Sequence, residues 1–136
     1  MSKSVFLDTS GWLALVTTRD KLHSAANVLW RRLGRELSRV LLTDWVVAEV
    51  GNSLSKGPAR TVFDRSLQQL RSDPSTTIQN IDAFLLDEAL ELFRERIDKT
   101  WGLVDCASFV VMQKAGIQEA FTADQHFVQA GFTKLL

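Results

Sequence analysis

A short apolar run that halts at an acid or a polar turn and then gives way to a helical stripe recurs from one end of this chain to the other. Val5-Phe6-Leu7 stops at Asp8, and Trp12, Leu13, Leu15 and Val16 follow on a helix. Val40-Leu41-Leu42 stops at Thr43-Asp44 before a helix over Trp45 to Leu54. Thr76 to Ile81 is β-branched, ends at Asp82, and precedes an apolar helical stripe of Leu85, Leu86, Ala89, Leu90 and Phe93. Ala120-Phe121-Thr122 is a fourth strand, followed by a short helix over Gln125 to Ala130, and Phe132 to Leu136 is a terminal strand. Further helices are expected over His23 to Leu37, Ala59 to Arg71 and Val104 to Ala115. Strands alternating with helices imply parallel strands joined by right-handed crossovers, with helices on both faces of the sheet. The expected architecture is therefore a three-layer α/β/α fold with a central, mostly parallel sheet of four to five strands. In such sheets ligands gather beyond the carboxyl ends of the strands, where the strand order reverses.

The chain has 136 residues with no repeat, no low-complexity tract and no linker, so one domain over 1–136 is expected. Sixteen Lys plus Arg balance sixteen Asp plus Glu, which excludes a broadly basic nucleic-acid coat while leaving room for a local basic rim. Cys106 stands alone, so neither an intrachain disulfide nor a thiolate zinc cage can form, in keeping with a reducing cytoplasm. The apolar stretch near the N-terminus breaks at Asp8, too early for a signal-peptide core, and no run is long enough to span a membrane.

Five acids stand where chemistry is expected. Asp8, Asp82 and Asp124 lie at or just after strand ends, and Glu49 and Asp105 lie in helical segments among apolar neighbours. Each has a plainer explanation. Asp8, Asp105 and Asp124 stand near helix starts, where Asp is a favoured N-cap, and Asp82 is read as the cap of the helix after the third strand. Glu49 flanks the Val46, Val47, Val50, Leu54 face with no Lys or Arg three or four residues away, so it needs solvent or a cation. Taken together, Asp8, Asp124, Asp105 and Glu49 are delivered to one rim of a parallel sheet. Carboxylates gathered there repel one another and raise their own pKa values, and a divalent cation relieves that. All-oxygen ligation suits Mg²⁺ or Mn²⁺, which can activate a water for in-line attack on a phosphodiester.

The strings Val5-Phe6-Leu7-Asp8-Thr9-Ser10, Glu49-Val50-Gly51-Asn52, Trp101-Gly102-Leu103-Val104-Asp105-Cys106-Ala107-Ser108-Phe109 and Phe121-Thr122-Ala123-Asp124-Gln125-His126-Phe127 resemble, in this order, the PIN domain family. The likeness runs from Asp8 to Phe132 and is nearest to the small single-domain ribonucleases of the VapC toxin type. The resemblance implies a PIN-like fold and a Mg²⁺- or Mn²⁺-dependent endoribonuclease. Asp8, Glu49, Asp105 and Asp124 would then be the acidic quartet holding the metal and its attacking water. Thr9 or Ser10 and Thr122 would orient water or phosphate, and Asn52 would brace the site. The resemblance also implies a homodimer and a small VapB-like antitoxin whose tail enters the acidic groove. Related sequences often carry Ser or Thr in the turn before the third acid, where this chain has Gly102 and Val104.

Other residues admit other uses. Trp101 is the candidate for stacking a base, and Lys56, Arg60 and Arg65 are the better placed of two basic clusters for phosphate, the other being Arg31, Arg32, Arg35 and Arg39. Cys106 beside Asp105 invites a nucleophile reading, although no His motif accompanies it, and His126 is read as a surface residue within reach of a phosphate. Asp98 is read as an exposed or supporting acid. A phospho-receiver module built on Asp82 and Lys134 competes, but it needs paired acids where Thr9 and Ser10 follow Asp8. A haloacid-dehalogenase-type phosphatase needs a second Asp at position 10, which is Ser. A PIN-like module that binds RNA or protein without cutting is the remaining alternative.

Overall fold

The computed structural model describes residues 3–136. Its first apolar run is β1 (Ser4–Leu7), with Val5, Phe6 and Leu7 all within 1% of full burial. A strand enclosed on both faces has no polar side to alternate with, which is why the run reads as continuous apolar sequence. α1 (Thr9–Val16) and α2 (His23–Arg35) lead to β2 (Arg39–Thr43), then α3 (Asp44–Ser53) and α4 (Ala59–Ser72) to β3 (Thr76–Gln79). α5 (Ala83–Glu95) and α6 (Leu103–Ala115) carry the chain to β4 (Glu119–Phe121), and α7 (Gln125–Gln129) to β5 (Thr133–Lys134).

All five strands are parallel and ordered β3-β2-β1-β4-β5. From the central β1 the chain winds outward through β2 and β3, then returns to the other side of β1 as β4 and β5. Right-handed crossovers in opposite directions place helices on opposite faces. Accordingly α1 packs with α2, α3 and α4, while α6 packs with α5 and α7. The expected three-layer architecture is therefore present, with the sheet wholly parallel and five-stranded.

Local chemistry marks the element ends. Thr43 closes β2 and caps α3 by accepting the Val46 N–H at 3.2 Å. Asp44 takes the Asn80 amide at 2.7 Å and the Ile81 N–H at 3.0 Å, tying the segment after β3 to the start of α3. α6 ends at Gly116, whose φ of 69° is the left-handed cap that glycine reaches without strain. Asp82 caps α5 by accepting the Leu85 N–H at 2.9 Å, as its position indicates. No helix among the described residues is long and apolar enough to cross a membrane.

The strand order reverses between β1 and β4. Asp8 follows the end of β1, and Thr122, Ala123 and Asp124 follow the end of β4, so the carboxyl-end crevice opens at these residues. The receiver-type pair does not meet there. Asp82 follows β3 and Lys134 lies in β5, the two outermost strands, four strand spacings or about 19 Å apart.

Candidate metal centre

Asp8 occupies the N-cap position of α1 but caps nothing. It is 4% exposed, and its carboxylate turns instead toward the end of β4. The Thr122 hydroxyl donates to Asp8 Oδ2 at 2.8 Å and accepts the Asp124 N–H at 3.0 Å. Ser10 Oγ lies 2.9 Å from Thr122 Oγ1 and accepts the Ala123 N–H at 2.9 Å. This chain of hydroxyls locks the segment after β1 to the segment after β4.

The lock depends on Gly11. A Cβ at that position would stand 2.0 Å from the Phe121 carbonyl oxygen, so only glycine lets the first turn of α1 lie against the end of β4. The Asp8 N–H donates to that same carbonyl at 3.2 Å.

Glu49 reaches the crevice from α3, half-buried, and accepts a hydrogen bond from the Thr9 hydroxyl. Asp105 comes from the first turn of α6. Its Oδ2 accepts the Gly102 N–H at 3.0 Å, supplying from within the helix part of the cap that Gly102 cannot provide. Asp124 caps α7 through the His126 N–H at 2.9 Å. His126 then folds its ring back between two acids, with Nδ1 3.3 Å from Asp105 Oδ2 and 3.2 Å from Asp124 Oδ1. One ligand atom from each of Asp105, Asp124 and His126 lies within 4.8 Å of the others.

The electrostatics record the convergence. Burial pushes the Asp8 carboxyl up to about 6; the Thr122 hydroxyl and the Thr9 N–H pull it back, and the charges of Asp105 and Asp124 raise it further. Burial also raises the Asp105 pKa, opposed by the Gly102 N–H, reinforced by Asp124 and Glu49, and lowered by His126. Acids drawn from β1, α3, α6 and α7 therefore share one field. Such a set, with one imidazole and no thiolate, can hold a divalent cation.

Of the eight residues singled out from sequence, seven meet in this crevice. Thr9, Ser10 and Thr122 spend their hydroxyls on Glu49, on each other and on Asp8, so they fix the acids. Asn52 does not join them. It is exposed on α3 and lines a separate cleft with Arg60 and Asp64.

Trp101 is no base-stacking platform, because it is 6% exposed, donates to Gln129 Oε1 at 3.0 Å and meets Phe109 edge-on. Cys106 is fully buried, and burial pushes its thiol pKa up, which makes it a poor nucleophile. Asp98 is an exposed ion-pair partner of Arg96. His126 was within view in the sequence, two residues beyond Asp124, but its contact with Asp105 exists only because α6 and α7 are neighbours.

Known proteins align with this arrangement. The model of the PIN domain family matches residues 5–133. The 23S rRNA-specific endonuclease VapC20, from two strains of Mycobacterium tuberculosis, is 29% identical over 133 residues, spanning 96% of this chain and 97% of the relative. The crystal structure of Mycobacterium tuberculosis VapC20, described as a sarcin-ricin loop cleaving toxin, matches the fold with a TM-score of 0.84 and 28% identity. That match covers 96% of this chain and 97% of the other. Family match, fold and the crevice of strand-end acids agree: this chain belongs to the PIN domain family.

Proposed function

We propose that this chain, as a single domain over residues 1–136, is a Mg²⁺- or Mn²⁺-dependent endoribonuclease of the VapC toxin type. The observation that carries the reading is the convergence of Asp8, Glu49, Asp105 and Asp124 at the point where the strand order reverses. The donor set fits a hard divalent cation, because buried carboxylates with raised pKa values gain most from a neutralising charge. When bound, such an ion supplies Lewis-acid stabilisation of the phosphodiester and lowers the pKa of a water.

The protein's own part is positional. Thr122 holds Asp8 through Oδ2, Thr9 holds Glu49 through Oε1, and the Gly102 N–H holds Asp105. These bonds keep the carboxylates aimed at one volume, where they orient the attacking water in line with the scissile bond. Lys56, between α3 and α4, and Arg60 and Arg65, on α4, are exposed and are our candidates for contacts to the RNA backbone.

The likeness to VapC20 makes a ribosomal RNA loop the first substrate to try. From the family resemblance we further propose a cytoplasmic homodimer silenced by a small VapB-like antitoxin. The test is cleavage of structured and single-stranded RNAs, a sarcin-ricin loop among them, in Mg²⁺, Mn²⁺ or excess chelator. Cleavage should require metal and fall at least about 100-fold in Asp8→Asn and Asp124→Asn, as loss of an electrostatic group at a reacting centre does. Folded, metal-binding protein that cuts none of them would be a PIN-like module that binds without cutting.

A further inference from the structure

We infer that His126 is itself a metal ligand, through Nδ1, so that this centre takes Mn²⁺ in preference to Mg²⁺. The inference rests on the acidic site proposed above and adds a nitrogen donor to it. Nδ1 is shut off from solvent and lacks a hydrogen-bond partner, although Asp105 Oδ2 and Asp124 Oδ1 stand 3.3 and 3.2 Å away. An Nδ1–H shared by two carboxylates would point along the line to at least one of them, and this nitrogen is aligned with neither. One ligand atom from each of the three residues instead lies within 4.8 Å of the others, the spacing of a shared cation site.

The other ring nitrogen explains the tautomer. Nε2 lies 3.2 Å from Thr100 Oγ1, so an Nε2–H donated to that hydroxyl leaves the Nδ1 lone pair free. A histidine that binds a metal characteristically donates its second N–H to such a partner. The spacings also suit coordination. Ligands at right angles on bonds of about 2.1 Å stand roughly 3 Å apart, close to the two Nδ1–carboxylate distances. Both carboxylate oxygens keep a free lone pair after accepting the Gly102 and His126 N–H groups.

An imidazole alters which ion is preferred. Mg²⁺ favours an all-oxygen shell and sheds water reluctantly, whereas nitrogen donors suit the transition series. Asp105, Asp124 and His126 thus form a mixed face, and Asp8 and Glu49 supply the oxygen side of the crevice.

The experiment is pulsed electron paramagnetic resonance of Mn²⁺ added to the metal-free protein in amine-free buffer without RNA, with Mn²⁺ and Mg²⁺ affinities measured by calorimetry. Bound Mn²⁺ should show the ¹⁴N coupling of a directly coordinated imidazole. His126→Ala should lose that coupling and about 10- to 100-fold in Mn²⁺ affinity. Its Mg²⁺ affinity should change less than about threefold, since an all-oxygen ion loses no favoured donor. His23 is not a competing source, because its Nδ1 is engaged at 2.9 Å with the Ala14 carbonyl. Mn²⁺ that binds tightly without nitrogen coupling would overturn the assignment of His126 and leave the acidic site intact. Failure of the wild-type protein to bind Mn²⁺ at all would overturn the acidic site as well. The wild-type spectrum decides the matter even if the alanine variant does not fold.

Discussion

Asp8 is enclosed almost completely, and burial holds its carboxyl at about 6 where an unfolded chain would have 3.8. Between those values the folded protein binds the extra proton. Its stability without metal therefore falls as pH rises from about 4 through 6, and stays lower above that. A rise of that size corresponds to roughly 3 kcal/mol, of which the lost Thr122 bond to a charged oxygen returns part on substitution. Asp8→Asn should accordingly stabilise the chelated protein at pH 7 by about 1–2 kcal/mol and by nearly nothing at pH 3.5. Urea unfolding at the two pH values measures both, and a loss of stability at pH 7 would make Asp8 a structural acid. The same residue shows why a carboxylate's role is only partly legible in sequence. Capping and a place in the crevice look like rival explanations there, yet Asp124 combines the two, Asp82 only caps, and Asp8 holds a cap position without capping. The direction of a carboxylate depends on a partner from a distant strand, and Thr122 lies 114 positions from Asp8.

At the scale of elements the alternation of apolar runs, acids and stripes places every strand and helix with ends within about two residues except at α1, which begins at Thr9 and takes in the residues that read as a polar turn before Trp12. Several boundaries are written in local chemistry, such as the Thr43 cap or the Gly116 left-handed turn. How closely two elements approach is not written locally. Gly11 looks like turn punctuation after Asp8-Thr9-Ser10, but it is the point where α1 touches the Phe121 carbonyl. A methyl group there meets backbone, which cannot rotate away as a side chain can, so α1 must move off β4. Gly11→Ala should cost about 1–3 kcal/mol, lowering Tm by roughly 3–10 °C. The same displacement stretches the Ser10–Thr122 link, so metal affinity should fall even in folded protein. Calorimetric unfolding together with Mn²⁺ titration separates the two effects. An alanine variant with wild-type Tm and affinity would show that α1 slides freely.

For the whole molecule, the winding of the chain decides where function sits. β1 is central and its two neighbours are reached in opposite directions, so one crevice opens above β1 and β4, and four elements each contribute an acid to it. Without a cation these charges oppose one another, so the proposed site ties the stability of the fold to metal binding. A ligand at a hundred times its Kd stabilises the native state by about 2.7 kcal/mol. Saturating Mn²⁺ should therefore raise Tm by several degrees over protein in chelator, whereas an equal ionic strength of NaCl should not, because screening replaces no ligand. Asp124→Asn isolates the cause. Asn caps a helix about as well as Asp, so the chelated variant should unfold within about 0.5 kcal/mol of the wild type. With one acid of the proposed site neutralised, it should gain much less from Mn²⁺. If the variant instead loses stability in chelator and keeps the full rise with Mn²⁺, Asp124 is a cap alone and the cation is held by the other acids.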